Sequence, residues 1–165
     1  MDKFQSLPPV NISSSSSKGN EFVILQITDL HHFDLEHKSF AGPRTTVDIG
    51  DDEKNLTSQE LGDYSTKRGL ALVNHLIAMV RPNLVIFSGD IIDGRKCKNH
   101  IAAMTQVIQP CIKYQIKWTF CPGNHDDDLP SKYAHEDLLQ IYNLPYCASR
   151  GATSFNHTFR LMNSH

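Results

Sequence analysis

The sequence lacks any apolar run approaching the roughly 18 residues that a membrane-spanning helix requires, and its N-terminus lacks the pattern of a signal peptide. Charge of one sign is also missing, because 16 basic and 18 acidic side chains leave a formal net charge of −2. There is therefore no basic footprint for nucleic acid or for an anionic membrane. We expect a soluble globular chain, cytoplasmic by default, whose 165 residues fit one domain.

Cysteine pairs of the zinc-binding type are also absent. Spacings of 14, 10 and 26 residues separate Cys97, Cys111, Cys121 and Cys147, so we expect buried free thiols. No GxGxxG or GxxxxGK[ST] motif follows a predicted strand, which disfavours a nucleotide-binding domain. Histidine, by contrast, is plentiful, and nine of them are a weak indication of metal or acid–base chemistry.

The pattern along the chain predicts a tail and one domain. Residues 1–20 carry two adjacent prolines and a run of five serines, which predicts a flexible tail. The domain then covers residues 21–165. Within it, residues 32–65 read as a polar loop with eight acidic and three basic side chains, and a loop of that length is usually functional or disordered.

Apolar segments alternate with helical patterns in the rest of the domain. Near-continuous apolar runs predict strands buried on both faces, and apolar residues at helical spacing predict helices. The expected strands are 22–28, 84–88, 117–121 and 152–161, and the expected helices are 66–80 with Thr66 as its cap, 100–116 with a kink or break at Pro110, and 131–142. This order predicts an α/β fold with a parallel βαβαβ core.

A polar cluster follows each of the first three predicted strands. Asp29-Leu-His31 follows the first, Gly89-Asp-Ile-Ile-Asp93 the second and Gly123-Asn-His-Asp126 the third. The carboxyl ends of parallel strands meet at one rim of the sheet, where ligands bind, so we expect the three clusters to converge. Alternation along an extended segment would point Asp29 and His31 the same way. Mixed carboxylate, imidazole and amide ligands suit zinc, manganese, iron or magnesium.

Taken together, these three motifs resemble the first three motifs of the calcineurin-like metallophosphoesterase superfamily. The resemblance covers residues 22–161 and is nearest to small eukaryotic purple-acid-phosphatase-like members. It implies the first half of an αββα sandwich. True purple acid phosphatases have a tyrosine iron ligand where this chain has Asp93, so a purple iron centre is not expected, and Asp93 is either a ligand or a partner behind the ligands.

The resemblance also implies a mechanism and a role for each residue. Two divalent ions (Mn, Zn or Fe) would activate a bridging hydroxide that attacks a phosphoester, in a phosphatase or a phosphodiesterase. The implied ligands are Asp29 and His31 for the first ion, Asp90 for both ions and Asn124 for the second. His125 would stabilise charge or protonate the leaving oxygen, and Asp126 would orient its imidazole.

The histidines that complete the family's site are expected in a second half of the fold, as Gly-His and Gly-His-x-His. After His125 the sequence has only His135, His157 and His165, and none of them follows a glycine. We therefore expect a truncated domain. The alternative to an active hydrolase is an inactive fragment that retains some metal binding.

Overall fold

Three of the predicted strands form the parallel sheet that positions the site. The computed structural model describes residues 5–6, 10–11, 21–34, 58–128, 134–158 and 161–162. Its strands are β1 (Gln5–Ser6), β2 (Val10–Asn11), β3 (Ile24–Ile27), β4 (Leu84–Ser88), β5 (Lys117–Cys121), β6 (His157–Thr158) and β7 (Leu161–Met162). Its helices are α1 (Ser58–Val80), α2 (His100–Tyr114) and α3 (Ala134–Leu139), and a 3₁₀ turn, Gln140–Asn143, follows α3.

The order β3-β4-β5 confirms the predicted α/β core. Ile24 pairs with Leu84, and Leu84 pairs with Lys117, both in parallel register. Because α1 connects β3 to β4 and α2 connects β4 to β5, the core consists of two consecutive βαβ units. This is consistent with the first half of the metallophosphoesterase fold.

One face of the sheet packs into the hydrophobic core. Val85 and Phe87 of β4 and Trp118 and Phe120 of β5 are fully buried, in the same cluster as Ile77 of α1 and several residues of α2. Alternation turns the neighbouring side chains to the other face. There Ile24, on the outer strand, is 47% exposed, whereas Leu84 and Thr119 of the two other strands are buried. This burial fixes the register and therefore the level at which each strand ends.

The helices differ from the sequence predictions at their ends. α1 begins at Ser58, eight residues before Thr66, so Thr66 is a buried residue inside the helix and not its cap. The polar loop is correspondingly shorter than 32–65, and its residues 35–57 lie outside the described part. α2 continues unbroken across Pro110, where we expected a kink or a split. Its start is capped by Asn99, whose side chain accepts the backbone N–H of Ala102.

The predicted strand 152–161 is wrong in extent. Among the residues described there, 152–158 and 161–162, β6 and β7 are the extended segments. They pair in parallel with β1 and β2 of the N-terminal segment, which the sequence did not reveal. Most of the predicted tail, the start of the predicted third helix at Ser131, and His165 lie outside the described residues. None of the described helices is long and apolar enough to cross a membrane.

Candidate metal centre

The segments that leave β3 and β4 run side by side past the ends of the strands. The backbone N–H of Asp29 donates to Gly89 O at 3.1 Å, and that of His31 donates to Asp90 O at 2.9 Å. The register of the sheet thus continues into both loops. It brings the first two polar clusters together, as the sequence predicted.

Three side chains converge at this point. One ligand atom each from Asp29, His31 and Asp90 lies within 4.8 Å of the other two. The Asp29 Oδ1 and His31 Nε2 atoms are 4.0 Å apart, and their side chains are 66% and 39% exposed. Two carboxylates and one imidazole suit a divalent ion of the manganese, iron or zinc type. The structure therefore contains a possible metal-binding group, open to solvent.

The backbone at these three residues is left-handed, with φ of 55° at Asp29, 47° at His31 and 53° at Asp90. Asp29 and His31 were expected to face one way because of extended alternation; they do converge, but through this local twist. Asp and His tolerate the left-handed region better than most residues. It still costs on the order of 1–3 kcal/mol per residue, and such strain clusters at functional sites.

Two glycines allow the third loop to approach Asp90. Gly89 has a φ of 94°, which favours glycine. A Cβ atom on Gly123 would lie 2.7 Å from the Asp90 backbone nitrogen and would also collide with the Asp90 carboxylate. Only glycine at position 123 lets the β5 loop pack this closely against Asp90.

His125 and Asn124 belong to that third loop. The backbone N–H of His125 donates to Asp90 Oδ1 at 3.0 Å, and the His125 and His31 rings lie 5.0 Å apart between centroids. Asn124 is exposed on the same turn, directly before His125. The third motif is therefore adjacent to the Asp29, His31 and Asp90 group, and Asn124 as a ligand stays a prediction.

Asp126 was expected to orient the imidazole of His125, but its carboxylate binds backbone N–H groups instead. Its fully buried carboxylate accepts the backbone N–H groups of Asp90, Ile92 and Gly123, each at 2.7 Å. Burial raises the pKa of Asp126, against the lowering effect of these three donors. Asp126 thus joins the loops after β4 and β5, because one carboxylate can accept from several donors at once.

The partner of the His125 imidazole is Asp128, whose Oδ2 lies 2.8 Å from Nδ1. Asp128 was not among the residues that the sequence motifs indicated. The turn that follows β5 places residues three apart next to each other, and this spacing was the available signal. His32 was missed as well: it is buried behind the site, its Nε2 lies 2.8 Å from Gln106 Oε1, and burial lowers its pKa.

Asp93, whose role the sequence left open, does not belong to the three-residue group. Its side chain is 2% exposed, and Lys96 and Arg95 lie 3.0 and 3.4 Å from its two oxygens. Burial alone would raise the pKa of Asp93, but the two cations hold it below its usual range. Of the two alternatives, this geometry favours a partner behind the ligands.

The sequence matches the Calcineurin-like phosphoesterase family over residues 22–163. It is 26% identical over 135 residues to Probable inactive purple acid phosphatase 29 of Arabidopsis thaliana, covering 81% of this chain and 31% of the relative. It is 33% identical over 108 residues to Probable inactive purple acid phosphatase 28 of the same plant, covering 65% and 24%.

An uncharacterized protein of Schizosaccharomyces pombe is 25% identical over 142 residues, covering 84% of this chain and 25% of the relative. The chain thus spans about a quarter to a third of the length of these relatives. No solved structure matches it. The family generally binds divalent metals, in agreement with the possible metal-binding group at the rim of the sheet. By its sequence match and its fold, the chain belongs to the calcineurin-like phosphoesterase family.

Proposed function

We propose that the protein to which this domain belongs is a metal-dependent phosphoester hydrolase, a phosphatase or a phosphodiesterase. The observation that carries the proposal is the convergence of Asp29, His31 and Asp90 within 4.8 Å at the carboxyl end of the sheet. Their backbone strain supports it, because the strained segments aim chemically active side chains at one point.

In this proposal, four residues of the chain are metal ligands and one, His125, acts on the substrate. Asp29 and His31 would hold one divalent ion, Asn124 would hold a second, and Asp90 would contribute to both. When bound, the ions supply Lewis-acid stabilisation of the phosphoryl group and a water of lowered pKa. His125 lies beside this group at the open rim, where the Nε2–H of its protonated ring could donate a proton to, or stabilise charge on, the departing oxygen.

The donor set indicates a class of metal and not a single element. Carboxylate oxygens with one imidazole and one amide suit manganese, zinc or iron. The pairing of both Asp93 oxygens with Lys96 and Arg95 supports a centre without the tyrosine ligand of purple enzymes. Manganese and zinc are therefore the first ions to test.

The second candidate function is a metal-binding domain without turnover. The relatives from Arabidopsis thaliana are named probable inactive purple acid phosphatases, which favours it. Among the described residues, the compact group of His, Cys, Asp and Glu side chains has only three members, fewer than two ions require. Measuring metal binding and hydrolysis separately distinguishes the two candidates.

The first experiment is a calorimetric titration of the metal-free chain with Mn²⁺ and with Zn²⁺. We expect binding that Asp90→Asn weakens at least about tenfold, because a ligand contributes more than the outer partners whose loss costs about 10–100-fold. Asp127→Asn is the matched control, since Asp127 is an exposed acid on the neighbouring turn and outside the three-residue group. Equal affinities for both variants would refute the metal centre.

The second experiment is hydrolysis of a generic phosphomonoester and a generic phosphodiester, with each metal and with a chelator. Metal-dependent turnover that Asp90→Asn abolishes supports the hydrolase. Specific metal binding without turnover of either substrate supports the second candidate. Activity that survives the chelator contradicts both.

A further inference from the structure

A chain of charged contacts runs from the His125 imidazole to a buried carboxylate in the neighbouring loop. Asp128 Oδ2 lies 2.8 Å from His125 Nδ1 and 3.8 Å from Arg95 Nε. The same Arg95 nitrogen lies 3.4 Å from Asp93 Oδ1. One guanidinium therefore stands between two carboxylates, and one of these holds the imidazole.

The buried Asp93 holds one end of this chain of contacts in place. It is 2% exposed, and its backbone N–H donates to His32 O while its carbonyl accepts the N–H groups of Lys96 and Cys97. Its other carboxylate oxygen is paired with Lys96 at 3.0 Å. These contacts hold the Asp93 side chain in place, and its contact with Arg95 restrains the guanidinium.

The two loops that carry these residues are also in direct backbone contact. The N–H of Gly94 donates to His125 O at 2.8 Å. A Cβ atom on Gly94 would lie 2.8 Å from that oxygen and 3.1 Å from the Asp128 carbonyl carbon. The turn at Gly94 therefore rests directly against the turn from His125 to Asp128.

The geometry points to Arg95 as a positioning residue for His125. Anchored on Asp93, its guanidinium holds Asp128 in place, and Asp128 then keeps the proton of the neutral imidazole on Nδ1. The Nε2 atom is left facing the rim of the sheet. Asp93 thus acts on the imidazole through Arg95 and Asp128, two residues to which no role was given by the sequence motifs.

An isolated exposed ion pair contributes little to stability, and Arg95 and Asp128 are 59% and 41% exposed. The predicted effect is therefore not on folding but on the position of one proton. A hydrogen bond to a charged group is stronger than one between neutral groups, and this difference is enough to decide between two imidazole tautomers. The tautomer is thus the quantity to measure.

The experiment uses the purified 165-residue chain without metal, at a mildly alkaline pH. The ¹⁵N shifts of the His125 ring, assigned by comparison with His125→Ala, give the ratio of the Nδ1–H to the Nε2–H tautomer. Arg95→Gln is compared with Lys96→Gln. Each removes one cation paired with Asp93, but only Arg95 reaches Asp128.

We expect Nδ1–H to dominate in the native chain. Arg95→Gln should lower the tautomer ratio about threefold, as for a pair near the upper end of the exposed range. Asp128→Ala should lower it about tenfold or more. Lys96→Gln should lower it clearly less than Arg95→Gln does, and Arg95→Lys, which lacks the planar fork, should restore only part of the ratio.

An unchanged ratio in Arg95→Gln would overturn the proposal, as would equal shifts in Arg95→Gln and Lys96→Gln. No effect of Asp128→Ala would do so as well. The catalytic value of this alignment depends on the proposed function, but the tautomer ratio does not. A chain that fails to hydrolyse phosphoesters can therefore still pass this test, and an active hydrolase can fail it.

Discussion

The two ends of the β3-β4-β5 sheet use the same unusual backbone conformation for different purposes. At the amino end, Arg81 and Gln115 are left-handed with φ of 48° and 56°. Both directly follow helices, and their N–H groups return to carbonyls of the last helical turn. A left-handed residue after a helix is an ordinary termination, because it satisfies carbonyls that would otherwise lack donors.

At the carboxyl end, Asp29, His31 and Asp90 are left-handed without any helix to terminate. Their carboxylates and imidazole point at each other, although two like charges side by side repel. At the amino end, cations lie on aromatic rings instead, with the Arg81 guanidinium 3.8 Å from the centre of the Tyr114 ring. Left-handed residues that do not terminate a helix therefore distinguish the carboxyl end of the sheet, where the candidate site lies.

The largest expected effect is that of His125→Ala on hydrolysis. General acid–base help is worth about 10²–10⁴-fold, so kcat should fall by that factor while metal affinity stays nearly constant. Steady-state kinetics and calorimetry on the same sample measure both. Asp127→Ala should change neither, and an equal loss in that variant would mean that general charge, and not His125, matters.

Thiol labelling compares a cysteine at the carboxyl end of β5 with one that lies beside the start of this strand. Cys121, at the carboxyl end of β5, is exposed, whereas Cys147 is buried beside Trp118. Burial raises the pKa of Cys147 to about 12, as it does for Cys97 and Cys111, and it also raises the pKa of Cys121.

Since the reactive species is the thiolate, a raised pKa keeps these thiols protonated until the pH rises towards that value. At mildly alkaline pH we expect Cys121 to be alkylated at least about tenfold faster than the other three. Mass spectrometry of partially labelled chains measures the order. Prior labelling of Cys147 would contradict its burial, and denaturant should make all four react alike.

Gly123→Ala should separate the β5 loop from Asp90. We expect the free energy of unfolding to fall by about 1–3 kcal/mol, as for other overpacked sites, and the affinity for Mn²⁺ to fall with it. Gly151→Asn is the control, because a Cβ atom there meets nothing within 4 Å and Asn tolerates its φ of 83°. Denaturant titration and calorimetry measure the two quantities; normal metal affinity in Gly123→Ala would be evidence against the close packing.

The smallest expected effects come from relieving the left-handed residues with glycine. Both Gln115→Gly and Asp29→Gly should raise the free energy of unfolding of the metal-free chain by up to about 1 kcal/mol. Only Asp29→Gly should weaken metal binding. Should Asp29→Gly instead destabilise the metal-free fold, the strain at Asp29 would be structural, and the contrast between the two ends would fail.

The strands and their polar endings were predictable because apolar runs followed by Asp, His or Asn are visible in the sequence. The start of α1 was not, since residues 58–65 are polar and their helix formation depends on the turns that follow. The sequence did not show that Asp128, and not Asp126, contacts the His125 imidazole, and the reason is geometric. Adjacent residues in a turn point different ways, and the sequence alone does not show which acid turns inward.

The carboxylate of Asp126 gives the third motif a structural role that is separate from the candidate site. It accepts N–H groups from two loops in the buried interior, so losing it would leave three backbone donors without partners. Folding alone therefore favours this aspartate, whether or not the protein hydrolyses a substrate. A variant at Asp126 would thus report on the stability of the domain, whereas variants at the more exposed His125 and Asp29 would report on the candidate site itself.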